Sequence, residues 1–410
     1  MEVGIAGAGI AGLMTALALC AAGRQWTTDV RCHLIERSPT PSEAGAGIQI
    51  SPNGCAVFDR LGLLGSLIEI SSAPSAIRIV TADNQRCHVS VPLGQVAEER
   101  YGYPYLTVNR QQLHGLLMSQ VDSLGECATV QFDAEINEVR DEPDRAWLAM
   151  TNGQKRSFDL VVGADGIHSC VRDVVGKPDT PRFTGHVAWR GIVSPDSIPE
   201  CSPIRETVTS WMASGGHAVT YPLGDGRINL VVVEASQDWQ HESWTVRGDA
   251  QTLLKRVDGW HTELRELVAS MTDVYRWALF NRPVPAQWHG DRVVLVGDSC
   301  HAMLPYAAQG AVMAAEDAMV LAQVLTTTVQ SGSPRQKPFF SALADYQRQR
   351  FDRVRRVQTL AHRHGRLFHL KPLASGIARL GMRMLNLGYP SYFQKRNDWL
   401  MGYRVPEPPM

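Results

Sequence analysis

Hydrophobic and polar positions at the start of the chain repeat with two different periods, and the change of period predicts a strand, a helix and a second strand. Residues 2–6 form a short apolar run, residues 10–22 place apolar side chains at helical spacing, and residues 29–35 form another strand-like run. A glycine-rich segment, residues 7–12, separates the first strand from the helix. This order predicts a βαβ unit.

Beyond residue 36 the same criteria divide the chain into three stretches. Short strand patterns alternate with helical patterns up to about residue 180, and residues 182–234 are rich in strands with Gly and Pro turns, which predicts an antiparallel sheet. A buried-strand pattern at residues 291–296 precedes the C-terminal helices. The helical patterns cover residues 52–70, 111–121, 309–329 and 339–365. We therefore predict an α/β protein with three regions, residues 1–180, 181–285 and 286–410.

Composition and charge exclude several classes of protein. The 410 residues are 44% hydrophobic and 20% charged, which excludes a disordered chain. The net charge of -1 offers no electrostatic footprint for nucleic acid. The longest apolar run, residues 10–23, is too short to span a bilayer, and the N-terminus lacks the pattern of a signal peptide. We expect a cytoplasmic protein, a monomer or a homodimer, without a nucleic-acid or membrane partner.

The eight cysteines indicate the redox compartment. No two of them have the Cys-x-x-Cys spacing, so neither a zinc site nor a thioredoxin-like motif is expected, and no other metal motif is present. A chain of this length without a leader segment is not expected to carry a disulfide framework. We therefore expect a reducing compartment and no metal.

The segment Gly7-Ala8-Gly9-Ile10-Ala11-Gly12 fits the Gly-x-Gly-x-x-Gly pattern of dinucleotide-binding turns. The first glycine permits the tight turn, the second lets a pyrophosphate approach the backbone, and the third lets the helix pack on the strand. The pyrophosphate then lies at the helix N-terminus, where free N–H groups favour anions. Glu36 follows Gly12 by 24 residues at the end of the second strand, where a carboxylate accepts the ribose hydroxyls. The other interpretation is a tight turn without a ligand.

Two later segments distinguish FAD from NAD. They are GADGIHSCVR at residues 163–172 and GDSCHAMLPYAAQGA at residues 297–311. Together with Arg110, they resemble the three fingerprints of the single-component flavin monooxygenases that share the para-hydroxybenzoate hydroxylase fold. The resemblance extends from residue 3 to about residue 360. It implies a Rossmann-type FAD-binding domain with an interleaved antiparallel-sheet substrate domain and C-terminal helices.

Within that family the chain is most similar to salicylate hydroxylase and 3-hydroxybenzoate 6-hydroxylase. The similarity lies in four segments: GIQISPN at residues 47–53, WRG at 189–191, Trp239 with ESW at 242–244, and DWLMGY at 398–403.

The resemblance also implies which residues bind FAD. Asp298 contacts the ribityl chain, Arg110 reaches the phosphates or the ribose, and the Asp165-Gly166 pair supports the pyrophosphate and has been linked to NAD(P)H use. The predicted FAD-binding residues are Gly7, Gly9, Gly12, Glu36, Arg37, Gly47, Arg110, Asp165, Gly166, Asp298, Pro305, Gly310 and Ala311.

A further part of the implied FAD site is the long helix that opens at Gln309-Gly310-Ala311. In the family its positive N-terminal end stabilises the negative charge that develops on the reduced flavin. Pro305 and Tyr306 are expected beside the reactive face. The chain departs from many relatives at Val312, where they have Asn, and this removes a polar side chain near the flavin.

Three residues are candidates for the substrate side. His217 and Tyr221 are four positions apart on a predicted strand and therefore share a face. The resemblance places them near the substrate phenol, where His217 acts as a base and Tyr221 binds the phenolate. Arg190 pairs with a substrate carboxylate or phenolate. The alternatives, a structural His–Tyr pair and an interdomain salt bridge at Arg190, remain open.

Basic residues late in the chain have two interpretations. Seven arginines between Arg348 and Arg366 mark a helix, and we interpret them as a solvated face, with docking of a nucleotide phosphate as the alternative. His301 is interpreted as a packing or capping residue.

The sequence thus predicts an FAD-dependent monooxygenase that hydroxylates a phenolic ring through a flavin C4a-hydroperoxide, with NAD(P)H and O₂. A single Gly-x-Gly-x-x-Gly motif implies that NADH or NADPH binds transiently as a co-substrate. The alternatives are a hydroxylase or epoxidase of a larger natural product, an NAD-linked dehydrogenase, and a non-catalytic FAD-binding protein.

Overall fold

The structure is a computed structural model that describes residues 1–24, 26, 29–41, 47–177, 179–236, 246–330 and 339–407. Two features of the sequence analysis, the tryptophan-containing segment at residues 239–244 and the loop at residues 331–334, lie outside the described residues.

The chain forms strands and helices with the following bounds. The strands are β1 (Glu2–Ala6), β2 (Arg31–Ile35), β3 (Gly47–Ile50), β4 (Ser71–Ser72), β5 (Ala76–Thr81), β6 (Cys87–Pro92), β7 (Leu106–Asn109), β8 (Ala128–Gln131), β9 (Ile136–Asp141), β10 (Ala146–Met150), β11 (Lys155–Phe158), β12 (Leu160–Gly163), β13 (Arg182–Val193), β14 (Thr207–Met212), β15 (Gly216–Pro222), β16 (Ile228–Ala235), β17 (Met271–Asn281) and β18 (Val293–Leu295). The α-helices are α1 (Ile10–Gly23), α2 (Pro52–Arg60), α3 (Leu64–Glu69), α4 (Gln95–Tyr101), α5 (Arg110–Asp122), α6 (Arg172–Val175), α7 (Ala250–Arg256), α8 (Thr262–Ala269), α9 (Asp298–His301), α10 (Gly310–Gln330), α11 (Phe340–Phe368), α12 (Pro372–Gly388) and α13 (Tyr392–Met401).

A five-stranded parallel sheet with the order β18-β12-β1-β2-β8 carries the first predicted domain. Its central strands are short apolar runs because both faces of the sheet are covered, one by α1 and the other by the three-stranded sheet β11-β10-β9. Helix α1 is apolar or small on every side, and it is buried between this sheet and the neighbouring helices, including α10. The α/β fold class predicted from the sequence is confirmed.

A seven-stranded sheet with the order β17-β13-β16-β15-β14-β5-β6 forms the second layer. Its strands come from two separate parts of the chain, because β5 and β6 precede the long segment that supplies the other five. The sheet is antiparallel except where β14 pairs with β5 in parallel. The strands of residues 182–234 pair antiparallel with one another as predicted, and the single parallel pair arises because β5 joins the sheet from a distant part of the chain.

Two further observations concern the cysteines and the membrane. The structure joins Cys20 of α1 to Cys127 by a disulfide with a Cα–Cα distance of 6.3 Å. The sequence analysis expected no disulfide framework from the length of the chain and did not predict this pair, because the two residues are 107 positions apart and only the docking of α1 brings them together. Within the described part of the chain, no helix is long and apolar enough to cross a membrane, and no group of three His, Cys, Asp or Glu side chains is arranged to hold a metal ion.

Candidate active site

The glycines at the carboxyl end of β1 form an open cradle. Gly7 has φ +94°, and a Cβ atom there would lie 2.7 Å from the carbonyl oxygen of Ala164. A Cβ atom on Gly12 would lie 2.0 Å from the carbonyl oxygen of Gly7. Gly9 differs, because a Cβ atom there would meet no protein atom within 4 Å. Packing therefore accounts for the first and third glycines, whereas the second leaves space for a molecule from outside.

The start of helix α1 leaves backbone N–H groups available to an anion. Gly9 is its N-cap, and no side chain caps the helix. The first N–H groups of a helix lack intrahelical partners, and the helix dipole favours negative charge there. The cradle and this helix end together fit a pyrophosphate.

The acidic residue at the end of β2 is held against the same turn. Glu36 accepts hydrogen bonds from the backbone N–H of Ala8 at 2.8 Å and from that of Ser38 at 2.9 Å. A carboxylate has about four lone-pair positions, so capacity remains for a ribose diol. Arg37 is exposed beside it.

The residues that follow β12 supply a second wall of the cradle. The Oδ2 atom of Asp165 accepts a hydrogen bond from the backbone N–H of Cys170 at 2.9 Å. The Oδ1 atom is buried, and no hydrogen-bond partner for it lies among the described residues. Burial raises the pKa of Asp165 above the usual range, although hydrogen bonds from Ser169 and Val171 oppose the shift. Gly166 follows with φ +78°. An unsatisfied buried oxygen at a strand end is consistent with a ligand that completes the site.

A third wall of the cradle comes from the segment after β18 and the first residue of α5. Asp298 is accessible from the cleft, although the surrounding protein raises its pKa above the usual value against the opposing effect of His301 and Arg110. Burial lowers the pKa of Arg110, and the nearby Asp298 opposes that shift. The two side chains are therefore neighbours across the cleft.

Helix α10 begins at the same cleft. A Cβ atom on Gly310 would meet no protein atom within 4 Å, so the start of this 21-residue helix is open. Pro305 is exposed before it. Val312 is buried against Gly54 of α2, since a Cβ atom on that glycine would lie 2.8 Å from the Cγ2 atom of Val312. The side chain at position 312 is thus directed to a packing contact rather than to the open cleft.

Buried charged side chains of α10 and α11 form a network next to the start of α10. Glu316, Asp317 and Arg350 are fully buried, and Arg353 is nearly so. Arg350 donates hydrogen bonds to Asp317 at 2.7 Å and to Glu316 at 2.6 Å. Arg353 donates two hydrogen bonds of 2.7 Å to the carboxylate of Glu316. Burial acts to raise the pKa values of both carboxyls. The net shift is downward, because Arg350 and Arg353 lower the pKa of Glu316, and His301 and Arg350 lower that of Asp317.

This network reaches both segments that face the cleft. Asp317 accepts hydrogen bonds from the backbone N–H of Gly297 at 3.0 Å and from the Nε2 atom of His301 at 2.5 Å. Asn53 links Glu316 to Gln309, the residue before α10. The interpretation of the late arginines as a solvated face is therefore wrong for Arg350 and Arg353.

Two acidic residues inside an otherwise apolar helical pattern were the available signal for this network, because buried carboxylates require partners. The sequence does not show which arginines pair with them.

The inner face of the seven-stranded sheet carries the candidate substrate residues. Arg190 is buried, and its guanidinium lies over the Trp277 ring at 4.5 Å. Burial lowers its pKa to about 10, and the nearby Arg110 adds to this effect. The Tyr221 ring lies on Gly47, where a Cβ atom would be 2.4 Å from the ring. Burial raises the pKa of Tyr221, and Arg190 opposes the shift. Arg190, Tyr221, Gly47 and Arg110 are thus brought together.

His217 is on the same strand as Tyr221, but it belongs to a separate cluster of aromatic and histidine rings. Its ring stacks on Phe368 at 4.6 Å and lies 5.5 Å from the Tyr306 ring, and His369 and His186 complete the group. Burial lowers the pKa of His217 well below its usual value, with His369 and His186 adding to the effect. The sequence analysis did not identify His186 or His369, and their spacing in the chain gives no signal. The contact with Tyr306 joins His217 to the segment that precedes α10.

Comparisons with known proteins agree with this geometry. Residues 1–361 match the family model described as an FAD binding domain. The chain is 34% identical to 3-amino-4-hydroxybenzoate 2-monooxygenase from Streptomyces platensis over 371 residues, which cover 90% of this chain and 89% of that protein. It is 31% identical to 3-hydroxybenzoate 6-hydroxylase 1 from Aquipseudomonas alcaligenes over 405 residues, 98% of each chain. A salicylate hydroxylase substrate complex has a similar fold, with a TM-score of 0.80 at 21% identity, over 99% of this chain and 96% of that one.

Proposed function

Because the chain belongs to the FAD-binding-domain family of flavin monooxygenases, we propose that it hydroxylates a phenolic aromatic acid with NAD(P)H and O₂. The proposal rests on one observation: residues of the seven-stranded sheet meet the glycine cradle and the start of α10 at a single cleft. Tyr221 of the seven-stranded sheet contacts Gly47, and His217 contacts Tyr306, so the candidate substrate residues adjoin the glycine cradle and the start of α10.

The residues around the cleft fit FAD. The open space at Gly9 and the uncapped start of α1 suit the pyrophosphate, Glu36 suits the adenosine ribose, and Asp298 with Arg110 suits the polyol and phosphates. The unsatisfied Oδ1 atom of Asp165 provides a further contact. When bound, FAD accepts a hydride from NAD(P)H and activates dioxygen. The positive end of α10 stabilises negative charge that develops beside it.

Arg190 is the proposed anchor of the substrate carboxylate. The relatives are named for hydroxybenzoates, which carry a carboxylate and a phenol on one ring. With a pKa of about 10 the guanidinium is charged at neutral pH in spite of its burial. Its planar fork offers two parallel hydrogen bonds to a carboxylate.

Tyr221 is the proposed donor to the phenol oxygen. Burial raises the pKa of its hydroxyl, so it stays protonated at neutral pH and donates a hydrogen bond to a phenolate. Gln49 positions this hydroxyl, because it hydrogen-bonds Tyr221 and accepts a hydrogen bond from Tyr105 at 2.6 Å. Stabilised phenolate enriches the electron density of the ring carbon that is hydroxylated.

His217 is the proposed base. Its low pKa keeps the imidazole neutral at pH 7, and the buried Nδ1 atom has no hydrogen-bond partner within the described part of the chain. Because His217 lies in a separate cluster from Tyr221, its neutral ring nitrogen accepts the phenol proton by a relay through Tyr221 rather than directly, and the packed aromatic neighbours exclude water from that step.

The test is a screen of purified protein with 3-hydroxybenzoate, 4-hydroxybenzoate, salicylate and aminohydroxybenzoates. We expect a yellow protein whose oxidation of NADH or NADPH is stimulated by at least one phenolic acid, with hydroxylated product formed in proportion to the nucleotide consumed. Product and hydrogen peroxide are quantified together, because an uncoupling ligand also stimulates consumption. A colourless protein that does not take up added FAD would refute the proposal, and so would stimulation that yields only peroxide with every phenolic acid.

A further inference from the structure

Asn229 of β16 is fully buried, but only one end of its side-chain amide has a hydrogen-bond partner. Its Oδ1 atom accepts a hydrogen bond of 2.7 Å from the backbone N–H of Gly47. Its Nδ2 atom is also buried, and none of the described residues accepts a hydrogen bond from it. Leaving a buried amide donor without an acceptor costs free energy, so an unpaired group of this kind requires an explanation.

The contact with Gly47 determines which end of the Asn229 amide points where. If the amide were turned over, its NH₂ group would face the backbone N–H of Gly47, and two donors would oppose each other. The carbonyl end therefore belongs to Gly47, and the two N–H groups of Nδ2 are directed away from that backbone. The side chain does not satisfy its donors by exchanging its two ends.

Asn229 lies among the proposed substrate residues. It is directly opposite Tyr221 of β15 and Ile192 of β13, and residues opposite each other in a sheet share a face with Cβ atoms about 5 Å apart. Arg190, two positions before Ile192, is a diagonal neighbour on that face, at roughly 7–8 Å. Gly47 contacts both Asn229 and Tyr221, since a Cβ atom on Gly47 would lie 2.7 Å from the Tyr221 hydroxyl. The amide is therefore next to the hydroxyl and the guanidinium that we assign to the substrate.

The neighbouring hydroxyl is oriented in the same way, by a partner on its other side. Tyr105 donates a hydrogen bond to the Oε1 atom of Gln49, so the Nε2 end of Gln49 remains for its hydrogen bond with Tyr221. The O–H group of Tyr221 is then available to donate to a ligand. Because the Asn229 amide and the Tyr221 hydroxyl are both oriented before a ligand binds, little ordering is required on binding.

The face that Asn229 shares with these residues carries hydrogen-bond donors and no carboxylate. In β13, β15 and β16, all of which the structure describes, the positions on this face are Ala188, Arg190, Ile192, His217, Val219, Tyr221, Asn229, Val231 and Val233. A ligand that matches several donors supplies lone pairs, and anionic oxygens form the strongest hydrogen bonds with them. The chemistry of this face therefore fits an oxygen-rich anion.

We propose that Asn229 binds the substrate, and that its Nδ2 atom donates a hydrogen bond to an oxygen of the aromatic acid. This inference rests on the proposed function, which supplies that oxygen, because a hydroxybenzoate carries one phenol oxygen and two carboxylate oxygens. Together with Arg190 and Tyr221, Asn229 forms a site of three donors that selects ring substituents able to accept hydrogen bonds.

The test compares dissociation constants of two Asn229 variants and wild type, all loaded with FAD, by titration of the flavin absorbance. The ligands are 3-hydroxybenzoate, 4-hydroxybenzoate and salicylate, with benzoate and phenol as fragments. Asn229→Leu removes the donor without adding a charge, and it should raise the dissociation constant of each acid that wild type binds roughly tenfold. The fragment whose affinity falls in Asn229→Leu contains the oxygen that Nδ2 binds.

Asn229→Asp separates the two ends of the amide. This variant keeps an oxygen that accepts the hydrogen bond from Gly47, but it places a negative charge where the donor was. We expect the dissociation constants of the acids to rise roughly 100-fold, because two like charges then face each other. If Asn229 served only to hold Gly47, this variant would bind the acids as well as wild type does.

Thr220→Val is the matched control for the loss of a buried hydrogen bond from the same sheet. Thr220 is fully buried on β15, and its Oγ1 atom accepts a hydrogen bond of 2.9 Å from the Nε1 atom of Trp211 on the opposite face. We expect Thr220→Val to leave every dissociation constant unchanged. Flavin content and circular dichroism show whether each variant is folded.

The outcomes separate a failure of this inference from a failure of the proposed function. A wild type that binds none of the three acids refutes the proposed function and this inference with it. If wild type binds them, unchanged constants in either Asn229 variant overturn the role of Asn229 alone. Loss of FAD from Asn229→Leu with unchanged affinity for both fragments also overturns it, since Nδ2 would then serve the cofactor.

Discussion

Replacing Arg190 with Met should raise the unfolding free energy of the ligand-free protein and weaken its binding of substrate. The guanidinium is buried on the inner face of the seven-stranded sheet. Burial lowers its pKa to about 10, well below the usual value of a guanidinium, so part of the cost of burying the charge remains. Met fills a similar volume without a charge and adapts to its surroundings.

The magnitude follows from the pKa shift. A decrease of this size, to about 10, corresponds to about 3 kcal/mol of destabilisation of the charged form in the folded protein. Loss of the contact with the Trp277 ring, worth about 1 kcal/mol, offsets part of the gain. The folded-state pKa is lowered, so the penalty is complete below pH 10, decreases as the pH rises above that value, and is gone only above the pKa of the guanidinium in the unfolded chain. We therefore expect Arg190→Met to gain about 1–3 kcal/mol of unfolding free energy at pH 7.5.

Substrate binding should move in the opposite direction. Loss of a charged partner for a buried carboxylate costs about 2 kcal/mol or more of binding free energy. The dissociation constant for a hydroxybenzoate should therefore rise roughly 30-fold. Arg190→Lys should recover the charge but not the two parallel hydrogen bonds, and its affinity should be intermediate.

Two assays check this reasoning. Urea denaturation of the protein without ligands gives the unfolding free energy, and titration of the flavin absorbance with hydroxybenzoate gives the dissociation constant. Arg276→Met is the matched control, because that arginine stacks on Trp189 at 4.7 Å on the neighbouring strand. An Arg190→Met protein that is less stable than wild type would refute the reasoning, since it would mean that Arg190 is a structural ion-pair partner.

Three further predictions test other parts of the site. Asp298→Ala should weaken FAD binding roughly tenfold, because it removes an acceptor for the polyol; flavin content after gel filtration measures this, and full retention would contradict it. Tyr221→Phe should slow hydroxylation by roughly tenfold or more while leaving flavin reduction by NAD(P)H unchanged, because only the phenolate loses a donor; stopped-flow absorbance separates the two steps, and equal turnover would exclude the role. Asp317→Asn should destabilise the protein by about 3 kcal/mol, because Arg350 would keep only one of its two carboxylate partners in the interior; chemical denaturation measures this, and an unchanged midpoint would show that the buried network is dispensable.

Much of the fold followed from local patterns. The βαβ unit, the position of α5 and the two long C-terminal helices were predicted within a few residues of their observed bounds. The family, the α/β class and FAD as the cofactor are confirmed. These features depend on short-range periodicity and on turns whose geometry requires glycine, which a single sequence displays directly.

The site residues were predicted only in part. The glycines and the strand-end acids lie at one cleft because the carboxyl ends of parallel strands meet there. The assignments of Arg190, Tyr221 and His217 to substrate chemistry stay predictions until the variants are measured. The structure adds that His217 is separate from the Arg190–Tyr221 pair and shares a cluster with two other histidines.

The sequence by itself determined the elements and the cradle, because both arise from neighbours within a few turns of the chain. The tertiary structure decided the partners: Arg350 with Glu316 and Asp317, Cys20 with Cys127, and β5 in parallel with β14. The spacing of hydrophobic residues predicts which side of a helix or strand is buried, but it does not identify the element that packs against that side. That depends on how distant elements dock, and each of these partners is separated from the other by between 33 and 131 positions in the chain.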